Sequence, residues 1–288
     1  MSLKKKKLVS IILNCFNGEK FLKKTLDSIK LQSYKNWELI FIDNHSTDNS
    51  KLIFKSYKDK RFKYFKTKKH LSLYSARNFG VNKSKGDFIS FIDADDWWIK
   101  NKIEKQITLF FKNHNLDIVF SNVFIYEEKN KKKKLFIKKK IKFINSQSLI
   151  NKFEMPILTT MIKKKIFKSN KFNNQYTIIG DFDFFTRLAI HYNIGYIHEP
   201  LAYYRIHGSN LTNKRIDLNI KELIHWHRHN QKKKIFKAVN FKKVINLIEL
   251  LQIKKKIMQN KKGEALKLIF SKSLNFSKFK YLFFLLIK

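Results

Sequence analysis

Three acids stand close together in Asp93-Ala94-Asp95-Asp96, directly after Phe88-Ile89-Ser90-Phe91-Ile92. A short run of aromatic and β-branched residues reads as a buried strand. Carboxylates gathered where such a strand stops can hold a hard divalent cation through oxygen, and Mg²⁺ held this way usually carries substrate phosphates too. A D-x-D alone is equally a solvated turn, so the surroundings decide its meaning. A second acidic pair opens Gly180-Asp181-Phe182-Asp183-Phe184-Phe185-Thr186-Arg187-Leu188. Acids at a helix start are stabilised there without any chemistry, whereas one that faces a substrate hydroxyl can take its proton.

The elements that must position these acids follow from periodicity. Strands are expected at 8–13, 37–42, 61–66, 88–92 and 117–122. Helices are expected at 18–31, from Ser46 as a cap before Thr47-Asp48, at 74–83 with Gly86 as its stop, and at 99–111. Strands alternating with helices argue for an α/β fold, with a mostly parallel sheet covered on both faces. Ligands of such sheets bind beyond the carboxyl ends of the strands. Three strand ends here carry polar clusters: Asn14-Cys15-Phe16-Asn17-Gly18, Asp43-Asn44-His45-Ser46-Thr47-Asp48, and the acids at 93–96. Together at one sheet edge they describe a site.

Composition narrows the setting. The chain has 288 residues and a net charge of +40, and 43% of its residues are hydrophobic. One cysteine, Cys15, excludes an internal disulfide and suits a reducing compartment. The opening lysines precede too short an apolar run for a secretory signal, and no stretch approaches the roughly 20 apolar residues of a membrane span. The expected location is cytoplasmic, peripheral at the inner membrane at most. The charge itself attracts nucleic acid or anionic lipid. Only six of the 62 basic residues are arginine, which disfavours base readout. A lysine-, asparagine- and isoleucine-rich chain also fits plain compositional bias.

The ordered set Val9 to Gly18, Asp43 to Asp48, Ala76-Arg77-Asn78-Phe79-Gly80 and Asp93 to Asp96 resembles the nucleotide-binding half of family 2 glycosyltransferases, which have the GT-A fold. The likeness is close over the first 125 residues and looser to about residue 210. It implies a glycosyltransferase that moves a sugar from a nucleotide-diphosphate sugar, with UDP the expected nucleotide, and inverts the anomeric centre. By this resemblance Asn14, Phe16 and Asn17 line the base and ribose pocket, and Asp43 and Asn44 hydrogen-bond the base. The family often has two acids there, so Asn44 is a departure. Arg77 approaches the diphosphate. Asp93 and Asp95 hold the ribose and a Mn²⁺ or Mg²⁺ ion, and Asp96 is a supporting ligand or a helix-capping acid. Asp181 is the expected general base, Asp183 its acidic partner at the substrate, and Arg187 the residue that ties the acids in place.

A strand with tyrosine and arginine, Leu201 to Ile206, leads to His207, which the resemblance places near the diphosphate or metal. His225, His227 and His229 alternate on an expected helix; residues two apart share no face, so they read as solvated. Residues 129–142 read as a lysine-laden hairpin or loop on the acceptor side. The catalytic domain is expected over 1–211, divided into a nucleotide-sugar half at 1–125 and an acceptor half at 126–211. Residues 212–288 form a basic helical region, with 16 lysines against Glu249 and Glu264 after residue 230. The apolar tail at 276–287 either lies in a membrane interface or packs as a last core helix. The expected acceptor is a glycan or lipid-linked glycan of a bacterial surface polysaccharide or lipopolysaccharide. Two rivals stay open. A metal-dependent nucleotidyltransferase would normally show a Gly-rich phosphate loop, and 14–20 has only Gly18. A non-catalytic polybasic protein binding nucleic acid or membrane would explain the charge but not the acids.

Overall fold

A computed structural model describes residues 7–141, 143–208, 210 and 215–270. They fall into two compact units. The first runs to Leu149 and then over Phe153–His207; the second holds Ile150–Lys152 and the chain from Gly208 onward.

The first unit is an α/β sheet with helices against it. It opens with β1 (Val9–Cys15), α1 (Glu19–Lys30), β2 (Trp37–Asp43), α2 (Ser50–Lys55), β3 (Phe62–Lys66), α3 (Leu73–Lys83) and β4 (Phe88–Asp93). Strands β1 to β4 are parallel, with Val9 of β1 opposite both Trp37 and Phe88. The central strand β1 buries Val9, Ile11, Ile12 and Leu13, so apolar runs rather than alternation mark these two-sided strands. Helix α1 lays Leu22, Leu26 and Ile29 on the sheet, the spacing of one helical face. The sheet then continues through β5 (Trp97–Trp98), α4 (Lys102–Lys112), β6 (Ile118–Glu127), β7 (Lys132–Leu135), α5 (Ser146–Asn151), β8 (Met161–Lys163), α6 (Gly180–Leu188) and β9 (Ile194–Ile206). Its strand order is β3-β2-β1-β4-β8-β6-β9-β5, with β7 paired to β6. The long β9 runs parallel to β6 through two register shifts, and its far end meets the loop after β4. The fold class is the one expected.

Three local expectations change. Ser46 caps no helix: α2 starts four residues later, and the Ser46 hydroxyl accepts from the Asn17 N–H at 3.1 Å instead. Helix α4 starts at Lys102 because Trp97 and Trp98 pair with Tyr203 and Ala202 of β9. Gly86 does not end α3, which stops at an extended Ser84. A Cβ on Gly86 would stand 2.6 Å from the Ser10 nitrogen, so the glycine lets the chain pass close to β1.

The second unit is helical: α7 (Ile216–Asn230), α8 (Lys242–Met258) and α9 (Lys262–Phe270). Trp226 anchors it between Phe236 and Phe241, each with ring centroids 5.8 Å away. His225 and His229 are four apart and do share a face, their rings parallel at 5.9 Å, which the alternation argument overlooked. The apolar tail at 276–287 lies outside the described residues. Among those described, no helix is long and apolar enough to cross a membrane.

Candidate active site

The carboxyl ends of β1 and β4 put Asn14 directly opposite Asp93. The Asn14 amide oxygen is buried with no donor among the described residues. Arg77, buried in α3, donates through one terminal nitrogen to both Asp93 oxygens at 2.8 and 3.0 Å. Its charge is sheathed, so it sets Asp93 from beneath rather than reaching out.

Two residues beyond, Asp95 meets His207, with Nε2 2.8 Å from its carboxylate. Burial and the nearby Asp93 charge push the Asp95 carboxyl up, and the His207 bond opposes them. Arg205 of β9 fixes the loop between them. Its Nε donates to the Asp95 carbonyl at 2.7 Å and its backbone N–H to Asp96 at 2.8 Å. Its guanidinium pairs with Glu128 and lies 4.3 Å from the Phe21 ring. Asp96 is therefore neither an outward ligand nor a helix cap. It is buried and turned inward, and burial with the repulsion of Asp95 and Asp93 raises its carboxyl far above the usual range. Among the described residues no three His, Cys, Asp or Glu side chains form a metal-holding group, and Asp95 and His207 pair with one another.

Asp181 opens α6 and comes to the same rim. Its carboxylate accepts from the Tyr74 hydroxyl at 3.3 Å and the Phe182 N–H at 2.9 Å. Desolvation raises its pKa, and the Arg77 charge works against that rise. Gly180 allows the approach, because a Cβ there would overlap the Tyr74 ring. Tyr74 is the Asp181 partner that sequence reasoning missed; only its place three residues before Arg77 on one helix hinted at it. Asp183 points the other way. It is buried and bridged by Arg187 at 2.9 Å, whose other hydrogen bond goes to the Lys171 carbonyl at 3.0 Å. Asp183 and Arg187 thus brace one another within α6.

The loops after β1 and β2 lock together. The Asn17 amide oxygen accepts from the Thr47 N–H at 2.8 Å, with Asn17 itself left-handed at φ 52°. Asp43 is buried, bonded by Tyr64 and by the Ser46 N–H at 2.8 Å. Asn44 is buried as well, its amide clamping the Leu71 backbone through bonds of 2.8 and 2.9 Å. Asn17 and the Asp43-Asn44 pair thus hold the loops of the corner where the base is expected. The exposed group in that corner is Phe16, 51% accessible and edge-on to His70 at 4.4 Å. Cys15 lies beneath it, its thiol pushed up to about 11 by burial and so inert at neutral pH.

The sequence was compared with known proteins. An uncharacterised glycosyltransferase of Methanocaldococcus jannaschii is 33% identical over 207 residues, 70% of this chain and 71% of that protein. The Escherichia coli UDP-Glc:alpha-D-GlcNAc-diphosphoundecaprenol beta-1,3-glucosyltransferase WfgD is 34% identical over 149 residues, 52% of this chain and 51% of its own length. The Pyrobaculum calidifontis mannosyltransferase PcManGT, solved with GDP-Man and Mn²⁺, superposes with a TM-score of 0.63 at 11% identity, over 99% of this chain and 81% of that one; that likeness is one of fold. The pattern of the family described as Glycosyl transferase family 2 spans residues 10–189, which takes in Asn14, Arg77, Asp93, Asp95 and Asp181 and stops short of Arg205 and His207. With that span matched, the chain belongs to glycosyl transferase family 2.

Proposed function

We propose that the protein transfers a sugar, with inversion, from a UDP-sugar to a hydroxyl of a glycan or lipid-linked glycan. The observation that carries this is the placing of Asp181. A carboxylate with a raised pKa is tied through Tyr74 to the helix whose Arg77 fixes Asp93. A base of that kind, held opposite a leaving diphosphate, suits removal of a hydroxyl proton at near-neutral pH. The acceptor O–H gives its proton to Asp181 as its oxygen bonds to the anomeric carbon. The bond from that carbon to the diphosphate breaks, and its electron pair leaves with the nucleotide diphosphate.

Asp93 and Asn14 hold the ribose, the orphaned Asn14 oxygen accepting a hydrogen bond from a ribose hydroxyl. Phe16 and His70 flank the base. Asp95 would give a Mn²⁺ or Mg²⁺ ion a hard carboxylate oxygen, and His207 beside it an imidazole nitrogen that Mn²⁺ accepts more readily than Mg²⁺. Bound there, the ion would offset the charge that gathers on the departing diphosphate. The E. coli relative's named donor and diphosphoundecaprenol-linked acceptor support a UDP-sugar and a lipid-linked glycan here. Such a substrate suits surface polysaccharide or lipopolysaccharide assembly by a cytoplasmic enzyme, peripheral at the inner membrane. Residues 1–211 are read as the catalytic domain, with 212–288 as a basic region that adds attraction to anionic lipid.

Asp181→Asn tests the assignment. Transfer should fall by at least a thousandfold, while the thermal shift given by the UDP-sugar with Mn²⁺ stays within a degree or so of the wild-type response. Loss of that shift would make Asp181 a donor-binding or structural acid and end its role as base.

A further inference from the structure

Helix α7 carries a second concavity that the catalytic reading does not use. An open groove of about 680 Å³ is lined by Lys221, Ile224, His225, Arg228, His229, Lys232 and Lys233. Six of those seven side chains are cationic or protonatable, and none is acidic. The acids of α7 are engaged elsewhere: Asp217 pairs with Lys255, and Glu222 is buried. Lysine bias does not account for this face, because two of the chain's nine histidines and one of its six arginines line it.

The geometry favours phosphate. Arg228 offers a flat fork that matches phosphate oxygens, and the parallel His225 and His229 rings present further N–H donors along one helix face. Lysines at the rim add attraction to an anionic surface. Ile235, two residues beyond Lys233, is 45% exposed, and Ile245 and Leu247 of α8 are exposed too. Exposed apolar side chains beside basic ones suit contact with a lipid surface. The groove holds no Phe, Tyr or Trp on which successive bases could stack, which disfavours single-stranded nucleic acid.

We propose that the α7 groove binds the phosphate headgroup of an anionic lipid and seats the second unit on a membrane surface. The inference is independent of the base and metal assignments, since it uses none of their residues.

The test is flotation of the full chain with phosphatidylcholine vesicles, with and without phosphatidylglycerol, at about 0.15 M salt. Arg228→Gln, Lys232→Gln and Lys233→Gln are combined in one variant. Lys165→Gln, Lys168→Gln and Lys171→Gln, in a basic groove of the first unit, form a control of equal charge loss. Wild type should float only with phosphatidylglycerol. The α7 variant should lose partitioning by about a hundredfold if all three charges meet the surface, and by at least tenfold; the control should change less than about threefold. Donor-induced thermal shifts should stay intact in both, which separates lost binding from lost fold. Equal losses in the two variants would reduce the binding to diffuse charge and overturn the proposal. So would a wild type that ignores phosphatidylglycerol, one held more tightly by random-sequence DNA than by vesicles, or one that inorganic pyrophosphate stabilises through Arg228 without any vesicle binding.

Discussion

At the scale of single residues, Asp181 is a carboxylate kept where burial works against its charge. Its native pKa lies above the unfolded value of about 4, so the native state binds this proton more tightly. The linked stability is fully present below that unfolded value and is lost as pH rises through the native value. The charged form of Asp181 therefore costs stability, and Asp181→Asn should keep or raise Tm at pH 7. A fall of more than about 4 °C, roughly 1 kcal/mol, would mark the acid as structural. The Tyr74 hydroxyl bond lowers this pKa. Tyr74→Phe should therefore move the acid limb of the kcat–pH profile to higher pH with little change in KM; an unmoved limb would break the link between the two residues. Lys102 is a contrasting case. It is fully buried over the Trp98 ring at 4.0 Å, and desolvation sets its pKa far below the ordinary lysine value. Unfolding then takes up a proton, so stability should rise with pH between the depressed and ordinary values. Denaturant titrations from pH 7 to 10 should show a shallower rise in Lys102→Met.

The same scale shows what the sequence made legible. Asp93, Asp95, Asp181 and His207 stand out because acids and histidine at strand and helix ends are chemically unusual. The side to which a carboxylate turns is not written in its spacing: Asp96, read as a supporting ligand or a helix cap, is buried and turned inward, and Asp183 pairs with Arg187. The partnerships that decide roles also span great sequence distances: Tyr74 to Asp181 crosses 107 positions and Asp95 to His207 crosses 112.

At the scale of elements, the periodic ones were legible and their ends were set by distant partners. Helix α1 follows its apolar spacing, whereas α4 is shortened by a pairing with β9 more than a hundred residues away. The site depends on two such junctions. At the first, α6 packs on α3 only because Gly180 leaves room for the Tyr74 ring. Gly180→Ala should destabilise by about 1–3 kcal/mol through overpacking and depress transfer with it; an unchanged Tm would show that α6 has freedom to shift. At the second, Arg205 ties β9 to the loop after β4. Arg205→Met leaves the Glu128 charge unpaired and frees the Asp95 backbone. UDP affinity measured calorimetrically in the presence of Mn²⁺ should fall by at least tenfold. Affinity kept at the wild-type level would assign Arg205 to the fold alone.

At the scale of the whole molecule, +40 charges on 288 residues repel one another across the surface. Screening should relieve that repulsion, so Tm should rise between 0.02 and 0.3 M NaCl, where the Debye length shrinks to several ångströms. A falling Tm would instead give specific ion pairs the larger part. This charge was plain from composition, but its local meaning was not: only the helical register shows that His225 and His229 share a face.

The central claim is that the rim of β4 anchors a donor diphosphate while Asp181 faces the carbon it leaves. Crystals grown with UDP-sugar and Mn²⁺, with data collected at the manganese edge, test it most directly. The anomalous peak should sit between Asp95 and His207, bridged to the diphosphate, with the anomeric carbon open toward Asp181. A peak elsewhere, or a donor whose anomeric carbon turns away from Asp181, would contradict it.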